Sequence, residues 1–177
     1  MLEELARSEH LGNLHEIDLT GTEITAAGVR ALLFAPSLRS VTRLTFAACE
    51  LGDAGADVIA ASPACAALAH LDLRSLAASA TSVGAIVRAP FRLSMRSLVL
   101  SLMKLDDGAA LALAGAEWPR LEYLILDSNR ITDRGAAAFL DSPFWRRSEC
   151  ELWLNGNPIS DAMKAKLRET FGPRVRV

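Results

Sequence analysis

The sequence predicts an α/β solenoid, a horseshoe segment with a short parallel sheet on its concave side and helices on its convex side. Three observations predict it. Leu121–Ile131 spells L-x-x-L-x-L-x-x-N-x-I, and Gly135 and Phe139 continue it at four-residue steps. The same skeleton returns about every 27 residues from one end of the chain to the other. Pro36, Pro63, Pro90 and Pro143 fall in the same phase independently, each where a helix should stop.

The elements follow in chain order. Residues 1–13 read as the back half of a module without its strand, because 5–11 resembles 59–65; they are either a capping helix or a partial repeat. Six strand-turn-helix modules fill 14–159. The first carries Leu14, Ile17, Leu19, Thr22, Ile24, Gly28 and Leu32, the second Val41, Leu44, Phe46, Cys49, Leu51, Gly55 and Ile59. The third starts with Leu68, Leu71 and Leu73, then departs, with Leu76 at the asparagine place and Ala78 at the next leucine place. The fourth has Met95, Leu98, Leu100, Met103 and Leu105, its glycine one place early at Gly108. Leu121–Phe139 is the fifth; the sixth has Leu152, Leu154, Asn157 and Ile159. In each L-x-L the side chains alternate, so one strand face is buried and the other free. Alanine-rich stretches such as 133–140 have helical spacing and suit a close approach to the sheet. Residues 160–177 read as a terminal helix begun at Ser160 or Asp161, stopped by Gly172-Pro173 and followed by a short edge strand.

Six such modules in phase resemble the leucine-rich repeat family, and within it the ribonuclease-inhibitor-like subtype. The resemblance covers about residues 14–170. It implies a leucine-rich repeat solenoid with a helix on the convex side of each module, and a non-catalytic protein-binding role for the concave strand face. Leu76, Ala78 and Met103 put apolar side chains where the family hydrogen-bonds its turn, so those turns need another source of bonds.

Bulk properties narrow the function. The chain has 177 residues, 51% apolar, with a formal net charge of -2 and no block of like charge, which gives no footprint for nucleic acid. Cys49, Cys65 and Cys150 are odd in number and lack ligand spacing, which fits a reducing, cytoplasmic setting rather than a disulfide framework. No apolar run approaches a membrane span, and 1–7 lacks the pattern of a signal peptide.

The free strand face shows three residues per module. They are Glu16, Asp18 and Thr20; Arg43, Thr45 and Ala47; His70, Asp72 and Arg74; Ser97, Val99 and Ser101; Tyr123, Ile125 and Asp127; Glu151, Trp153 and Asn155. Val99, Ile125 and Trp153 form one apolar row flanked by Tyr123, with Asp127 and Asn155 beside it. An exposed row of this kind either marks a partner site or satisfies strand propensity under a terminal segment. Arg43, His70, Asp72 and Arg74 form a charged field, which either reads an ionic partner or consists of cross-strand ion pairs. These ten residues, from Val99 to Asn155 in the row and from Arg43 to Arg74 in the field, are the candidate partner contacts.

Catalytic and metal readings find little support. His70, Asp72 and Ser101 share a face but are offset, and no G-x-S-x-G turn accompanies them. His10, His15 and His70 lack ligand spacing, and Gly28, Gly55 and Gly135 recur singly at strand-to-helix turns rather than as a phosphate loop. No catalytic residue, metal or cofactor is expected. Phe144-Trp145-Arg146-Arg147 reads as a loop that is either an interaction edge or, preferably, apolar filler under the last helix. The expected partner is another protein. The alternatives are a structural domain that self-associates through its open N-terminal end, and the targeting part of a larger effector.

Overall fold

The computed structural model describes residues 2–39, 41–76 and 79–177. Its elements run α1 (Leu2–Leu5), β1 (Glu16–Asp18), α2 (Ala26–Leu33), β2 (Arg43–Thr45), α3 (Gly52–Ala61), β3 (His70–Asp72), α4 (Ala80–Arg88), β4 (Ser97–Val99), α5 (Asp107–Ala114), β5 (Tyr123–Ile125), α6 (Asp133–Asp141), α7 (Pro143–Arg147), β6 (Glu151–Trp153), α8 (Asp161–Phe171) and β7 (Val175–Arg176). The strands make one seven-stranded parallel sheet in sequence order. Each crossover therefore returns the chain by one strand spacing, and the helices stack on the other side.

The register follows the leucine ladder. Ile17, Leu44, Leu71, Leu98, Leu124 and Leu152 are lateral neighbours and all are buried. A one-residue slip would turn that row to water, so the pattern fixes the pairing. The core is one continuous cluster, closed by Leu2 at one end and by Phe171 and Val175 at the other.

Between strand and helix every module makes the same turn through the left-handed region. Gly21, Ala48, Ser75, Leu102, Ser128 and Gly156 have φ between 56° and 69°. Glycine takes this conformation without cost, and the four side-chain-bearing residues do not. The turn around Met103, which has no asparagine of its own, is served by the following module. Asn129 Oδ1 accepts from the Met103 and Leu105 N–H groups at 3.0 Å each, and its Nδ2 donates to the Leu100 and Leu126 carbonyls at 2.9 Å each. Asn157 repeats this for Ile131, Leu126 and Leu154. In the second module Cys49 Sγ donates to the Leu19 carbonyl at 3.0 Å. Ala78 lies outside the described residues.

The helix starts are laced together. Asp53 accepts from the Ser79 N–H and hydroxyl and from the Ser82 hydroxyl; Asp107 accepts from the N–H and hydroxyl of Thr132, and Asp133 from those of Ser160. Ser79, Thr132 and Ser160 in turn cap their own helices. Three sequence expectations change here. Gly28, Gly55 and Gly135 lie in the first turns of α2, α3 and α6 rather than in the strand-to-helix turns. A Cβ on Gly135 would stand 2.8 Å from Ile131 Cγ2 and 3.0 Å from Ala110 Cβ, so close packing requires glycine there. Pro63, Pro90 and Pro143 each open a further short helix as well as ending the one before.

The third change concerns residues 144–147, which are helical in α7 rather than a loop. Ser142-Pro143 supplies the start. Trp145 is buried edge-on against Phe139 and Phe144, at 5.1 and 5.7 Å between ring centres, as filler would be.

Candidate functional site

Alternate side chains on three-residue strands leave two columns on the concave face, and the residue after next adds a third. The first column is Glu16, Arg43, His70, Ser97, Tyr123 and Glu151. The second is Asp18, Thr45, Asp72, Val99, Ile125 and Trp153, and β7 extends it to Arg176. Arg74, Asp127 and Asn155 lie beyond the strand ends in the third.

In the N-terminal half the charges meet one another. Arg43 lies 3.6 Å from Glu16 on the next strand, which is the cross-strand pairing the sequence suggests. Asp72 pairs instead with Arg74, just beyond the end of its own strand, whose N–H also bonds to it at 3.0 Å. His70 sits between these pairs. Burial and the Arg43 charge hold its imidazole below the usual histidine range, so it is neutral near pH 7. A shallow concavity of about 140 Å³ lies over Arg43, Thr45, His70 and Val99.

In the C-terminal half the row is apolar. Val99, Ile125 and Trp153 are half-buried lateral neighbours, and Tyr123 is 40% exposed. Trp153 is held from two sides. Its Nε1 donates to Glu151 at 3.1 Å, and the Arg176 guanidinium stacks 4.0 Å from its ring centre while bonding to the same carboxylate at 3.1 Å. The terminal strand thus covers one side of Trp153 and leaves the ring in a fixed pose. Asp127 Oδ1 accepts from the N–H and Nδ2 of Asn155 at 2.8 and 3.1 Å, which ties the third column together.

Comparison with known proteins fits this geometry. The Leucine Rich repeat family model matches residues 10–33 and 120–140, the modules of β1–α2 and β5–α6. The chain is a leucine-rich-repeat solenoid. No curated protein matches it. The other leucine-rich-repeat modules join the two matched ones through continuous register and a shared left-handed turn.

Around this leucine-rich-repeat core the reactive groups are placed structurally. All three cysteines are buried and free. Burial pushes the Cys65 thiol up to about 11 and the Cys150 thiol up to about 12, which keeps both protonated and unreactive. Among the described residues no group of three or more His, Cys, Asp or Glu could hold a metal ion. No described helix is long and apolar enough to cross a membrane. The sequence places Arg176 only in a short edge strand; its contact with Trp153 makes it part of the concave surface.

Proposed function

We propose that residues 1–177 act as one non-catalytic protein-binding domain that holds its partner on the C-terminal half of the concave face. The observation that carries this is the row Val99–Ile125–Trp153: three apolar side chains brought side by side, partly open, with Tyr123 exposed at their border. Aromatic side chains in a fixed pose bind well because little freedom is left to lose, and Trp153 is fixed by Glu151 and Arg176. The contact set is Val99, Tyr123, Ile125, Trp153, Asp127 and Asn155. Arg43, His70, Asp72 and Arg74 extend it as a polar flank. We further assign the modules to the ribonuclease-inhibitor-like subtype, a reading supported by the near-27-residue step and the α-helix on the convex side of each module.

The test is capture from cell extract by wild type and by the double variant Trp153→Ala, Tyr123→Ala, with partners identified by mass spectrometry. Loss of specific partners at unchanged melting temperature supports the reading. Retained capture with a large drop in melting temperature shows the two side chains to be structural and removes it.

A further inference from the structure

Charge on the concave face is incompletely paired among the described residues. Four arginines reach or border it, and each has its own acid: Arg43 has Glu16, Arg74 has Asp72, Arg96 has Glu122, and Arg176 has Glu151. His70 is neutral near pH 7. Two acids of the face, Asp18 and Asp127, have no cation among the described residues. They differ in surroundings. Asp18 is exposed at the first strand, and both the hydroxyl and the N–H of Thr20 bond to it, at 2.6 and 2.9 Å. Asp127 is half-buried, two residues beyond Ile125 on the same face and about 7 Å from it. In both acids only Oδ1 is engaged, by Thr20 at Asp18 and by Asn155 at Asp127, and among the described residues neither Oδ2 has a protein partner.

We infer that the partner presents a lysine or arginine to Asp127 Oδ2 next to an apolar side chain seated on Val99 and Ile125. This rests on the concave-face reading above and gives the occupant its chemistry: a basic, hydrophobic protein segment. Three points lead to it. Asp127 borders the apolar row, whereas Asp18 lies three strands away from Val99, so a partner seated on the row can bring a cation to Asp127 and not to Asp18. The bonds from Asn155 hold the carboxylate in place before binding, so little ordering remains to be done. An acidic segment would meet Asp127 unopposed, and would have to displace Glu151 or Glu122 to reach an arginine. The apolar row and the open carboxylate lie within one extended dipeptide's reach of each other, so a single short segment can engage both.

A random-peptide phage library, selected on the full chain, supplies the probes. Selected peptides are then measured by fluorescence polarisation against wild type, Asp127→Asn and Trp153→Ala. Asn keeps an oxygen for the Asn155 bonds, so the variant removes charge and little else. The inference expects lysine or arginine beside aromatic or aliphatic residues in the selected peptides. It expects roughly a ten-fold loss of affinity in Asp127→Asn, with a weaker dependence on salt. Peptides that lose binding with Trp153→Ala but are acidic or neutral, and are indifferent to Asp127→Asn, overturn the inference and leave the concave-face reading standing. Peptides indifferent to Trp153→Ala, or no enriched peptides at all, overturn both.

Discussion

Asn129→Ala should cost roughly 3–5 kcal/mol, a large share of the roughly 5–15 kcal/mol that holds a folded domain. The side chain is buried and makes four bonds of 2.9 to 3.0 Å that span two modules. Alanine orphans the N–H groups of Met103 and Leu105, each at a cost of about 1–3 kcal/mol once out of water. The Leu100 and Leu126 carbonyls lose one donor each, which is milder because an oxygen has a second lone pair. Water entering the emptied space recovers part of the sum, which sets the range toward its middle. Urea unfolding followed by circular dichroism gives the total. Because modules couple to their neighbours, amide hydrogen exchange at Met103 and Leu105 gives the local part. Asn157→Ala, with three such bonds, should cost less. A shift in stability of under about 1 kcal/mol in Asn129→Ala, with both amides as protected as before, would refute this role for Asn129.

Two further outcomes test the turns and the helix starts. Leu102 is 54% exposed at φ 58°, so Leu102→Gly loses little burial and relieves a left-handed residue; stability should rise by about 0.5–1 kcal/mol, and a lower melting temperature would count against the strain. Acid should loosen the lacing between helices. The Ser82 and Ser79 groups lower the Asp53 carboxyl, and the Ser160 hydroxyl and N–H lower that of Asp133; at Asp107 burial pushes upward, but the bonds from Thr132 and Gly135 outweigh it. Carboxyls lowered on folding stabilise the protein above the ordinary range near pH 4, and that stability is lost as pH falls through their lowered values. Asp107→Asn with Asp133→Asn should therefore weaken the protein near pH 7 and flatten its acid limb. Equal slopes for variant and wild type between about pH 5 and pH 3 would contradict this.

What the sequence discloses depends on whether the partner of a residue lies at a fixed offset. Leu124 and Leu126 repeat at the module step, so strand, register and burial could be read directly. The concave columns followed, since side chains on a strand alternate. Asn129 carries the repeat's turn signature, but its bonds to Met103 and Leu105 reach back into a module whose own position is apolar, so the rescue is invisible in either module alone. The contact between Trp153 and Arg176 is hidden for a different reason. Arg176 pairs with Trp153 at an offset of 23 residues, where the earlier strands pair at 26 to 28, because the terminal helix and strand compress the last step. A ladder drawn at constant spacing ends at Asn155 and leaves Trp153 as an edge. The structure instead gives Trp153 a neighbour on each side, Ile125 and Arg176. The aromatic side chain is thereby clamped near the C-terminal end of a face whose four arginines each have an acid among the described residues, so under the proposed reading the carboxylate at Asp127, and not an arginine, would select the segment that fits.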